Sequence, residues 1–103
     1  MILDMCPDCH ACGRDLPPDT REAWICSFEC TFCADCAENK LENVCPNCGG
    51  GFAPRPIRPQ REWRPGLCAV KQPPSDKRMH LKYERGDIAA HLQRIRNIPP
   101  EQR

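Results

Sequence analysis

The chain has 103 residues and is 40% hydrophobic by a count that includes ten cysteines, with only two Trp, one Tyr and three Phe. That length suits one small domain, but the apolar side chains are too few and scattered to offset chain entropy alone, so cross-links must carry much of the fold. The formal net charge of +1 hides nine acids against three bases in residues 1–52 and twelve bases against five acids in residues 53–103; no stretch approaches the ~18 apolar residues of a membrane span, so membrane partners are not expected.

Met1 to Met5 is too short for an export signal and is interrupted by Asp4, with Asp8 close behind. A cytoplasmic setting is therefore expected, where thiols and metal thiolates prevail over disulfides. Nine of the ten cysteines then fall between Cys6 and Cys48. Pairs separated by two residues recur, a spacing that lets both thiolates of a tight turn reach one tetrahedral zinc at about 2.3 Å while backbone amides bond the sulfurs. One such pair also reads as a redox motif, but several in so short a stretch point to zinc.

Cys6 with Cys9 and Cys9 with Cys12 have equal spacing, and glycine separates the two registers. A zinc turn favours a residue of positive φ just past its second cysteine, and Gly13 follows Cys12 as Gly49 follows Cys48, whereas His10 follows Cys9. The ligand set is therefore Cys9, Cys12, Cys26, Cys30, Cys33, Cys36, Cys45 and Cys48, enough for two Zn2+ ions. Cys6 becomes a spare thiol, with its substitution for one of the first pair as the alternative. Geometry permits a sequential grouping, four ligands and then four, as well as an interleaved one. The residues from Ala34 to Leu41 read either as a loop or as a short helix with Ala34, Ala37 and Leu41 inward.

Residues 1–52 thus form the cysteine-rich head. Residues 53–78 form a strap, because six prolines between Pro54 and Pro74 forbid a regular helix and favour extended backbone. Its order depends on whether Ile57, Trp63, Leu67 and Val70 press onto the head, and the tail's positive charge favours folding back onto the acidic head before meeting any outside partner. In residues 79–103, the alternation of Met79, Leu81 and Tyr83 fits a short strand. Asp87 is a suitable N-cap for a helix carrying Ile88, Leu92 and Ile95 on one face and ending before Pro99.

Two resemblances follow from these motifs. The order CHAC, ICSFEC, FCADC, CPNC, with Phe32 before the fifth ligand and Pro46 after the seventh, resembles a RING finger. It implies a small metal-stabilised α+β fold with a binuclear zinc cross-brace, in which Cys9, Cys12, Cys33 and Cys36 share one ion and Cys26, Cys30, Cys45 and Cys48 the other. The run GRDLPPDTREAWICSFECTFCADCAE, followed by VCPNCGG and arginine-proline pairs, is similar to a bacterial family of short cysteine-rich proteins of unknown function, over roughly residues 9 to 78. That resemblance implies zinc and a cytoplasmic bacterial setting and brings no activity with it.

Closed thiolate sites leave a metal no open position for chemistry. His80 and His91 stand apart from the cysteines, and no nucleophile and base pattern is present, so an enzyme is not indicated. The leading expectation is a protein-interaction module with a groove between the zinc loops, lined by His10, Ala11, Phe28, Pro46 and Asn47. A ubiquitin-ligase-like adaptor recruiting a ubiquitin-conjugating enzyme is one alternative, although His10 and Gly49 depart from the residues usual after the first and eighth ligands; Arg55 could stand in for the basic residue missing at Gly49 only if the strap folds back. Another is nucleic-acid binding through Arg55, Arg58, Arg61 and Arg64 with Trp63 among them. Cys68, alone in the strap, is read as a small apolar contact.

Overall fold

The computed structural model describes residues 3–103 and shows a small α+β fold. Strands β1 (Ala23–Ile25) and β2 (Thr31–Cys33) form an antiparallel hairpin, with Ala23 opposite Cys33 and Ile25 opposite Thr31. Branched and aromatic residues suit such a half-buried ribbon. The loop between these strands holds Cys26 and Cys30, so the hairpin carries one cysteine pair at its tip. At its other end β2 runs directly from Cys33 into a helical segment that passes through a wide π-type turn, Cys36–Lys40, closed by the Leu41 amide on the Cys36 carbonyl. Ala37 and Leu41 of the expected inward face are buried, while Ala34 is half-buried.

The strap begins as β3 (Ala53–Pro54), pairing antiparallel with β1 so that the sheet order is β2-β1-β3 among the described residues. Pro54 is tolerated there because β3 is an edge strand with no further ladder to feed. Beyond it the strap is held on the head by guanidinium groups and not by its large apolar side chains. Arg55 is only 5% exposed and donates to the carbonyls of Cys6 (2.8 Å), Leu16 (3.3 Å) and Pro17 (3.1 Å). Arg58 donates to the carbonyls of Leu3 and Gln72. The expectation that Ile57, Trp63, Leu67 and Val70 press inward is corrected: all four are exposed, and Cys68 and Ala69 are the buried contacts.

Residues 79–83 do not form the expected strand. The Met79 amide bonds instead to the Asp8 carboxylate at 3.4 Å, and only Leu81 turns toward the core, with Met79 and Tyr83 exposed. Helix α1 spans Arg85–Ile95 and starts earlier than the Asp87 cap had suggested. Glu84 takes the N-cap position, and Asp87 lies in the first turn, where a carboxylate still complements the helix's positive end. As the 3.6-residue period dictates, Leu92 is buried and Ile88 and Ile95 are partly buried against the core. That core combines Phe32, Leu16, Val44, Ala23, Ala37 and Leu41 with the inward cysteines, and Phe32 is flanked edge-on by His10 and Phe52 at centroid distances of 5.6 and 5.2 Å. Among the described residues no helix is long and apolar enough to cross a membrane.

Candidate metal centre

Two turns built on the same backbone pattern supply the first and last cysteine pairs. In one, the Cys9 amide donates to the Arg14 carbonyl and the Gly13 amide to the Cys9 carbonyl; in the other, Cys45 donates to Gly50 and Gly49 to Cys45. Gly13 at φ 77° and Gly49 at φ 81° lie in the left-handed region, where a Cβ is penalised. The turn that closes each pair thus depends on the glycine after it. A third turn, at the hairpin tip, presents Cys26 and Cys30, with the Cys26 amide donating to the Cys30 carbonyl and Glu29 taking the positive φ.

These turns bring the sulfurs together in two groups. Those of Cys9, Cys12, Cys33 and Cys36 lie within 4.8 Å of one another, as do those of Cys26, Cys45 and Cys48. Cys30 falls outside that spacing; it sits on the same hairpin loop as Cys26, where its sulfur accepts from Asn47 Nδ2. The groups alternate along the chain, since Cys26 falls between the two pairs of the first. Cys6 belongs to neither group, and Cys68 is buried in the strap.

Either group can hold a metal ion, and the spacing suits a tetrahedral one. Four sulfurs about 2.3 Å from a central ion lie about 3.8 Å apart, and Cys12 Sγ and Cys33 Sγ are 3.8 Å apart. Amide donors already point at the sulfurs: Phe28 N to Cys26 Sγ at 3.3 Å, Asn47 Nδ2 to Cys30 Sγ at 3.3 Å and Gly50 N to Cys48 Sγ at 3.4 Å. Such donors stabilise negative sulfur and orient it, as expected around a metal thiolate centre. Without an ion the thiols share protons unevenly. Hydrogen bonds from Cys26 and then Cys45 pull the Cys30 thiol down to about 2, while the bond to Cys30 pushes Cys26 up to about 11. Cys45 is raised by its bonds to Cys26 and Cys30, and Cys36 is raised chiefly by burial.

The residues expected to line a groove are not all available. Phe28 is 75% exposed, and Asn47 is also exposed. His10 is buried, its Nδ1 accepts the Thr31 amide at 3.4 Å, and burial lowers its pKa, which makes it a neutral packing residue. Pro46 is buried as well, and α1 lies across this face. Pro46 and Asn47 share one cavity wall with Ile88 and His91, and Ala11 and Leu41 share another with Ile88 and Leu92. His91 Nε2 is 3.0 Å from the Cys45 carbonyl, which fixes the helix beside the last cysteine turn.

Sequence reasoning missed the buried Arg55 clamp and the buried Asp8, whose carboxylate faces Arg78 at 3.8 Å. Nothing in the local pattern distinguishes Arg55 from the arginines that follow it. The register of four arginines is divided by the fold, since Arg55 and Arg58 are engaged with carbonyls while Arg61 and Arg64 are exposed.

The model of a family described as "Protein of unknown function (DUF1272)" matches residues 2–58. An uncharacterized protein of Rhizobium meliloti (strain 1021) is 60% identical over 58 residues, which make up 56% of this chain and 69% of that protein. No solved structure matches the chain. The family match takes in the hairpin, both sulfur groups and the start of the strap; it begins before and ends short of the span of residues 9 to 78 expected from the sequence, and α1 lies beyond it.

Proposed function

The chain belongs to this family of unknown function, which brings no activity with it, and we propose that it is a protein-interaction adaptor built on two structural zinc ions in a RING-like cross-brace. The observation that carries this reading is the alternation of the two sulfur groups: Cys9, Cys12, Cys33 and Cys36 lie together, and Cys26 is grouped with Cys45 and Cys48. In this reading Cys30 completes the second site. Four thiolates close a tetrahedral zinc and leave no position for a reacting water, so the metals hold the fold and the surface does the work.

The surface that fits a partner protein is the hairpin tip. Phe28 projects from the loop between Cys26 and Cys30, with Asn47 beside that loop, so the second zinc would hold a large exposed ring in a fixed position. Such rigid aromatic anchors carry a large share of interface energy. Affinity capture with the wild type and with Phe28→Ala, each verified to hold two zinc ions, tests the proposal. A protein retained by the wild type and lost with the variant supports it, and equal recovery by both removes the hairpin tip from consideration.

The ubiquitin-ligase-like alternative finds less support. The face a conjugating enzyme would approach is occupied by α1 at Ala11, Leu41 and Pro46, and Arg55 is engaged with three carbonyls.

A further inference from the structure

The strap presents an inverted arrangement. Its anchoring guanidinium groups point inward, while Trp63 (73% exposed), Leu67 (59%) and Val70 (76%) point to solvent. The segment is nonetheless firmly shaped. The Ala69 amide bonds to the Pro59 carbonyl at 2.8 Å and closes the loop, Cys68 and Ala69 are buried at its foot, and Gly66 at φ 79° turns the chain with its amide on the Glu62 carboxylate at 2.9 Å. The three large apolar side chains are thus held outward by the backbone they sit on. Arg64 lies between them in sequence and Arg61 and Lys71 flank them, all three exposed and, among the described residues, in no ion pair.

We propose that the loop from Arg61 to Lys71 is a docking surface for an anionic phospholipid membrane, with Trp63, Leu67 and Val70 entering the headgroup boundary and Arg61, Arg64 and Lys71 meeting lipid phosphates. Charge and composition select this occupant. Indole rings favour the membrane–water boundary, aliphatic side chains gain from the acyl region just beneath it, and cations add attraction to anionic headgroups. A single-stranded nucleic acid would use Trp63 and the cations but gain nothing comparable from Leu67 and Val70, which have no planar face for a base. Because the loop is already shaped, little ordering opposes docking. The inference is independent of the hairpin-tip reading, uses a cationic surface where the head is acidic, and departs from the expectation of no membrane partner, which rested on the lack of a spanning segment and does not bear on peripheral docking.

The test is co-sedimentation of the metal-loaded 103-residue chain with vesicles of phosphatidylcholine alone or mixed with phosphatidylglycerol. Binding to the mixed vesicles only is expected. A Trp63→Ser/Leu67→Ser/Val70→Ser variant should partition at least about tenfold more weakly, and an Arg61→Glu/Arg64→Glu/Lys71→Glu variant should lose binding. Both alter exposed positions, so metal content and circular dichroism should match the wild type and show that any loss is local. No sedimentation of the wild type with anionic vesicles overturns the proposal, and so does full retention by the apolar variant, which would reveal adsorption by charge alone. Capture of single-stranded RNA without vesicle binding overturns it in favour of nucleic acid.

Discussion

Gly13 and Gly49 perform the same backbone task at the two ends of the head, yet their surroundings differ. A Cβ at Gly13 meets nothing within 4 Å, whereas one at Gly49 comes within 3.2 Å of Ile95 Cδ1. Gly13→Ala should therefore cost only the positive-φ penalty, about 1 kcal/mol. Gly49→Ala should cost more in a denaturant titration and should also hasten proteolytic cleavage within α1, which Gly13→Ala should leave unchanged. The cysteines give a sharper contrast. Serine at Cys9 or Cys12 should lower the metal content by one ion per chain in elemental analysis, because each belongs to a complete group of four sulfurs, while serine at Cys6 or Cys68 should leave it unaltered. Metal loss on changing Cys6 with Cys12 tolerant would reverse the register.

Among the elements, the strap depends on one residue more than on its composition. Arg55 sits at the end of β3 and ties three carbonyls of the N-terminal segment, two of them through the same Nη2. A lysine retains the charge but lacks the planar fork, so it cannot meet all three. Arg55→Lys should destabilise the fold by about 2 kcal/mol, and Arg55→Ala by at least as much, through carbonyls left without a donor. Thermal melts of the metal-loaded variants measure this. Metal content should remain at the wild-type level, since Arg55 touches no sulfur group. Helix α1 is tied differently, by Leu92 in the core, His91 on the Cys45 carbonyl and Arg96 on Glu42 at 3.3 Å. It is too short to persist alone and takes its stability from this docking.

For the molecule as a whole, the two sulfur groups join segments far apart in sequence: the N-terminal turn to the end of the hairpin, and the hairpin tip to the last turn. A structural zinc site contributes on the order of 10 kcal/mol to folding. Chelation should thus unfold the head, with loss of near-UV circular dichroism; a chelated chain that keeps its tertiary signal would mean that the apolar core suffices. Acid should have the same effect. In the metal-free chain Cys26 is raised from 9.0 to about 11, and Cys36 and Cys45 are raised too, so these thiols hold their protons at neutral pH and must release them to an incoming ion. Protons therefore compete with the metal. Retention should be fullest at neutral and mildly alkaline pH and fall as pH drops, which metal release followed with a chromogenic chelator will show.

What the sequence determined by itself is local: the cysteine pairs, the glycine after Cys12, the lack of a regular helix in the strap, although residues 59–69 turn back as a loop instead of running extended, and the apolar stripe of α1. Each follows from backbone geometry over a few residues, where spacing and φ preference are decisive. Tertiary structure decided the rest. The grouping of Cys26 with Cys45 and Cys48 requires the hairpin to fold back on the last turn, and equal spacings cannot reveal it. The burial of His10 and Pro46 arises from Phe32 and from α1, which lie far from them in sequence or across the core. Arg55 and Arg64 look alike in a run of arginines and prolines, but β3 pairing carries only the first under the head, where three carbonyls await a donor. Met79 to Tyr83 alternates like a strand yet bonds to Asp8, because a strand also needs a neighbouring edge, and its own residues cannot supply one.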